Sequence, residues 1–214
     1  MARIHFQRDL DKLVGQVCEE IDHVETSMGV ATRALLEGDR SLADVAIDSV
    51  TSVSSRFREI EGVVIDLQMR QQPVASDLRL LLAIQRILGD LERSAALVKN
   101  IAKQVRRRHP EFVVPERMRA TVAEMGDSAV SLLNKAGVVF AEQDAGLARE
   151  LDADDDRMDA LHRALLHQVI AGTGSDPVET TVDLTLCGRY YERFADHAVA
   201  IGRQVIYRST GELV

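Results

Sequence analysis

The chain has 214 residues, 46% of them hydrophobic, with four prolines and no tryptophan, which is enough to bury one sizeable core or two small ones. Its 34 acidic residues outnumber 26 basic ones, for a formal charge of −8; such a chain gains little from a phosphate backbone, so no nucleic-acid partner is expected. No stretch approaches the ~20 apolar residues of a membrane span, and the opening "MARIHFQRDLDKL" lacks a signal peptide's apolar middle, so a soluble, cytoplasmic protein without membrane insertion is expected.

In chain order, Leu10, Leu13, Val14, Val17, Ile21, Val24 and Met28 recur at three- and four-residue spacing and predict a first helix. The breaker "EGDRS" (37–41) ends it, and a second helical interval runs to "QQPVAS" (71–76). A third carries Leu80, Ile84, Ile87, Leu88, Leu91, Ala95 and Val98 and stops at "RRRHPEFVVPE" (106–116). Two more breakers, "AEQDAG" (141–146) and "AGTGSDP" (171–177), separate the last three helical intervals. No interval shows the alternation of a strand. Pro73 and Pro177 are expected just inside helix starts, where a missing N–H costs nothing. Pro110 and Pro115 bracket the segment that reads best as a linker. Long helices with short connections favour antiparallel bundles, so the fold expected is all-α, two tandem three-helix bundles over 1–108 and 116–214 joined by 109–115. Cys18 and Cys187 lie far apart with no CxxC and read as reduced thiols inside helices.

The halves resemble each other. "GDLERSAALVKNIAKQV" (89–105) aligns with "RYYERFADHAVAIGRQV" (189–205), placing Glu92 and Arg93 on Glu192 and Arg193 and Gln104 on Gln204. Such a match indicates duplication.

Within the second half, "ELDADDDRMDALHRALLHQV" puts Asp155 and Asp159 one turn apart with His162 on the same face, and "YYERFADHAV" does the same for Glu192 and Asp196. The two helices flank the turn at 172–177 and should form an antiparallel hairpin. Counting outward from the middle of that turn sets Asp155 level with Asp196 and Asp159 level with Glu192. Four carboxylates at one level repel unless protonated or neutralised, and an all-oxygen set suits a hard or borderline cation such as Mg, Mn, Ca or iron. Other readings stay open. Asp152, Asp154, Asp155 and Asp156 also make an acidic first turn that water would solvate, and Arg189 and Arg193 could pair locally with Glu192 and Asp196. The same count in the first half gives Asp48, Ser52, Glu92 and Ala96, so a degenerate first-repeat site keeps only Asp48 and Glu92.

These segments resemble the PhoU family, accessory regulators of the phosphate-specific transport system, and are most similar to its actinobacterial PhoY branch. "QQPVASDLRLLLAIQRILGDLER" is similar to the family's Q-x-P-x-A-x-DLR run into D-L-E-R, and "YYERFADHAVAIGRQVIY" to its E-R-x-x-D-H-A-x-x-I closing helix. "IAKQVRRRHP" and "DDDRMDALHRAL" also look like the PhoY pattern, and the resemblance spans the whole chain. It implies two tandem three-helix repeats. It implies a metal site, with a divalent or ferric ion (iron, Mn, Mg or Zn), on the intact motifs Asp155/Asp159 and Glu192/Asp196, with His162 behind them. It also implies a homodimer that restrains phosphate uptake and the phosphate-starvation response, contacting the ATPase subunit of a phosphate ABC transporter (PstB-like) and a sensor histidine kinase (PhoR-like). "PVASDLR" is a hallmark of the resemblance, which makes Asp77 and Arg79 candidate partner contacts, although Ser76 or Asp77 could cap a helix and Arg79 could pair locally.

No G-x-S-x-G elbow, phosphate loop or HExxH is present, and no enzyme is expected. His5, His23, His109 and His167 read as surface residues, and His197 should point away from any ion held by Asp196. "VRRRHP" complements a helix C-terminus or forms a contact for an acidic partner. Two further functions compete with the regulatory one: a ferritin-like carboxylate di-iron oxidoreductase, which normally needs two E-x-x-H motifs, and a purely structural helical dimer.

Overall fold

The structure is a computed structural model that describes residues 2–172 and 174–212. Seven α-helices, α1 (Ala2–Glu37), α2 (Arg40–Thr51), α3 (Val53–Gln71), α4 (Ala75–Arg108), α5 (Arg119–Glu142), α6 (Ala145–Gly172) and α7 (Val178–Thr210), account for nearly all of it, with one short 3-10 turn at Glu116–Met118. There is no strand among the described residues, so the fold is all-α, as expected. The expected second helix is interrupted at Ser52, whose backbone is itself helical, so α2 and α3 form one bent rod.

Local chemistry sets the helix ends. Asp39 caps α2 by accepting from the amides of Ser41 (2.7 Å) and Leu42 (3.1 Å), and Asp144 does the same for α6 through Gly146 (2.7 Å) and Leu147 (3.0 Å). Pro177 is the residue flanking α7, and Pro73 lies one residue further out from α4, whose flanking residue is Val74. Both prolines therefore sit just outside the helices. Neither Ser76 nor Asp77 caps α4, which has no side-chain cap.

Helix α1 packs on α2, α3 and α4 in the first half, while α5, α6 and α7 pack together in the second. The halves then meet through α1 on α5 and α4 on α7. Both contacts are antiparallel. Ile21 lies at Gly137, Gly29 near Val130 and Thr32 against Gly126, where any Cβ would collide with the threonine. Gln104 Nε2 donates to the Asp183 carbonyl (2.9 Å), and Arg86 Nη1 to Gln204 Oε1 (3.2 Å). Equivalent helices that pack antiparallel are arranged as a two-fold axis would arrange them. The result is a single continuous hydrophobic core running through both bundles, rather than two small ones.

Candidate metal centre

The register counted from the turn holds in the structure, although Thr173 within that turn lies outside the described residues. A Cβ on Gly202 would lie 2.5 Å from Leu151, and one on Gly188 would lie 3.0 Å from both His162 and Leu165. Small residues on α7 thus let α6 approach closely, and the seam pairs the residues that simple counting pairs. Asp155 and Glu192 are half-buried on it, while Asp159 and Asp196 stand at its exposed edge.

Asp155 senses the charges of the other three acidic side chains. Burial, followed by the charges of Asp196, Asp159 and Glu192, pushes Asp155 from the ordinary 3.8 up to about 6. Glu192 accepts from Arg189 through Oε1, and its other oxygen, Oε2, is buried with no hydrogen-bond partner. Two other members of the acidic run are engaged elsewhere: Asp152 accepts from Arg203 (2.9 Å) and Asp154 from Lys135 (2.7 Å). His162 lies against Gly188, one turn along α7 from Glu192. Among the described residues no group of three or more His, Cys, Asp or Glu side chains is posed to hold a metal ion. Glu192 is paired with Arg189 on its own helix instead. The chemistry of the donors still suits a cation, because positive charge relieves both the orphaned Glu192 Oε2 and the Asp155 carboxyl, which burial first and its acidic neighbours next push up.

The first-repeat positions Asp48, Ser52, Glu92 and Ala96 are all exposed. No hydrogen bond or ion pair joins Asp48 to Glu92 among the described residues. Instead Ser52 Oγ accepts from Arg56 Nη1 (2.9 Å), and Lys99 Nζ donates to Thr51 Oγ1 (3.2 Å). Arg56 also pairs with buried Glu20 (2.5 Å). Basic side chains therefore stand beside the degenerate site.

Two expectations for individual residues change. Arg79 does not pair locally: its Nε donates to the Arg208 carbonyl at the end of α7 (3.0 Å), and Asp77 lies close enough to raise Arg208 against the lowering that burial causes. Both are half-buried and tie α4 to α7. His23 is half-buried rather than a surface residue. Its Nε2 is 3.0 Å from Ser49 Oγ, which is 2.7 Å from Ser27 Oγ, and Ser27 donates to the His23 carbonyl (2.8 Å). With that proton committed, Ser49 donates to Ser27 and accepts from His23 Nε2–H, so the ring is no base for Ser49. Cys187 is buried, which pushes its thiol up well out of the reactive range, and Cys18 is half-buried.

Sequence reasoning missed one cluster. Asp90 of α4 accepts from Arg93 Nη2 (2.6 Å) and from His197 Nδ1 of α7 (3.1 Å), buried between the two repeats. Burial alone would raise Asp90, but the two hydrogen bonds and charges outweigh it and hold the carboxyl below its ordinary value. A signal existed: Asp90 falls three residues after Ile87 within the apolar rhythm of α4. His197 points away from Asp196, as expected.

A family model for the PhoU domain matches this chain twice, over residues 17–105 and 122–205. The chain belongs to the PhoU family. It is 37% identical over 209 residues to the phosphate-specific transport system accessory protein PhoU homolog 1 of Mycobacterium leprae, covering 98% of this chain and 94% of that protein. It is 37% identical over 212 residues to PhoU homolog 2 of Mycobacterium tuberculosis, covering 98% of each. Among solved structures, PhoU from Pseudomonas aeruginosa superposes with a TM-score of 0.90 at 26% identity, covering 97% of this chain and all of that one. The phosphate transport system regulatory protein PhoU from Streptococcus pneumoniae superposes with a TM-score of 0.88 at 25% identity, covering 98% and 99%. Two PhoU repeats and the tandem three-helix architecture agree with the fold read from the sequence.

Proposed function

We propose that this PhoU protein is a negative regulator of phosphate uptake and of the phosphate-starvation response, acting as a cytoplasmic, homodimeric adaptor between the ATPase subunit of a phosphate ABC transporter and a sensor histidine kinase. One observation carries the reading: similarity to phosphate-transport accessory proteins runs through 98% of the chain, across both repeats and the linker at 109–115 between them. Deleting the protein should raise phosphate-responsive transcription under phosphate excess, and supplying it again should restore repression. Unchanged transcription in the deletion strain would defeat the reading.

The second repeat adds a carboxylate metal site to this role. Asp155, Asp159, Glu192 and Asp196 would hold a divalent or ferric ion, with His162 one turn away able to orient a carboxylate. The ion would supply positive charge to the unpartnered Glu192 Oε2 and cross-link α6 to α7. Support comes from the raised Asp155 and from that orphaned oxygen.

A further inference from the structure

The junction of α4 and α7 carries a groove of about 670 Å³ that the carboxylate site does not use. It is lined by a ridge of three aliphatic side chains on α7, Val178, Val182 and Leu186, which are 78%, 50% and 39% exposed. They are four residues apart and so lie along one helix face. A contiguous apolar ridge rimmed by charge marks an interaction surface more often than scattered exposed aliphatics do.

The walls are already fixed. Arg107 pairs with Asp183, and Arg108 bridges Glu179 (3.0 Å) and Glu111 (3.3 Å). Asp183 is buried, so these pairs hold the end of α4 against the start of α7 before anything binds. Arg107 and Asp183 neutralise each other. Arg108 is shared by two glutamates that both reach into solvent, which leaves the rim with one carboxylate charge in excess on a chain of net −8.

We propose that this groove docks a helical segment of a partner protein with apolar residues one turn apart, flanked by lysine or arginine. The ridge from Val178 to Leu186 covers nine residues, a rise of about 12 Å along α7, which matches two to three turns of a helix laid in a groove. Cationic flanks complement Glu111 and Glu179. A second copy of this chain would instead bring two acidic rims together. Leu186 precedes Glu192 by six residues, about 9 Å along the same helix, so the occupant sits beside the carboxylate hairpin. This inference deepens the adaptor reading and rests on it for the existence of a partner.

The test uses the full chain and two synthetic amphipathic helical peptides with identical leucine positions, one bearing lysine on its polar face and the other glutamate. Hydrogen exchange should show the lysine peptide protecting 107–111 and 178–186. Val182→Asp, and separately Glu111→Gln/Glu179→Gln, should each weaken binding about tenfold, a difference of about 1.4 kcal/mol, and the glutamate peptide should give no protection there. Protection elsewhere, or binding that ignores both variants, overturns the proposal. So does a wild-type dimer that Val182→Asp dissociates in sedimentation, since the occupant is then a second copy. In cells Val182→Asp should derepress phosphate-responsive transcription. If deletion derepresses and Val182→Asp does not, the groove fails and the adaptor reading stands; if deletion changes nothing, the adaptor reading fails and the groove's partner with it.

Discussion

The α6–α7 hairpin carries four carboxylates along one seam, and among the described residues Arg189 is the one cation paired to any of them. At the matching positions of the first repeat stand Asp48, Ser52, Glu92 and Ala96, with Arg56 on Ser52 and Lys99 on Thr51. Duplication preserved the backbone, and the charges diverged. The second hairpin half-buries an acid that its neighbours also repel, and either a proton or a cation relieves it. The first has lost half its acids and gained cations of its own. Equivalent backbone geometry therefore does not make equivalent seams: the balance of charge differs between them.

Several substitutions break or sharpen this contrast. The largest effect on stability is expected where the hairpins are tied together: Asp90→Ala should cost about 3 kcal/mol in urea unfolding, because it strips a buried histidine of its partner between the repeats. A loss under about 0.5 kcal/mol would mean that the Asp90–His197 bond contributes nothing. Next comes Arg56→Ala in the first repeat, expected to cost about 2 kcal/mol by leaving the buried Glu20 carboxylate uncompensated.

A gain is expected in the second repeat. Asp155 has its folded value raised to about 6 from 3.8, so the metal-free protein binds this proton more tightly than the unfolded chain does. Its stability falls as pH rises from about 4 through 6. Asp155→Asn should therefore stabilise the metal-free protein by about 1 kcal/mol above pH 6, allowing for solvent screening at a half-exposed site, and by nothing below pH 4. A gain that persists in acid would mean that repulsion is not its source. The smallest effect belongs to Asp48→Ala/Glu92→Ala, two exposed residues without partners, which should shift stability by no more than about 0.5 kcal/mol.

The parts of this structure legible in the sequence are those that local spacing encodes. Apolar rhythm gave the helices, and the turn before Pro177 fixed the hairpin register, which Gly188 against His162 and Gly202 against Leu151 display. The interruption at Ser52 carried no proline or glycine to announce it. Thr51, Ser52 and Ser55 donate their hydroxyls back to the carbonyls of Ile47, Ser49 and Ser52, and such bonds compete with the helix and bend it. Asp90 with His197, and Arg79 with the Arg208 carbonyl, depend on how one repeat docks on the other. No interval of the chain encodes that docking. The pair of Glu192 with Arg189 was readable, because residues three apart face each other on one helix; the burial that raises Asp155 was not, because it depends on how the helices pack.

Metal analysis of the wild-type protein beside Asp155→Ala/Glu192→Ala and Asp48→Ala/Glu92→Ala, each titrated with Mn²⁺ and Fe²⁺ after chelation, tests the contrast most directly. The account predicts that wild type and the first-repeat variant take up the same amount of metal and the second-repeat variant takes up none. Equal uptake by all three proteins would contradict it.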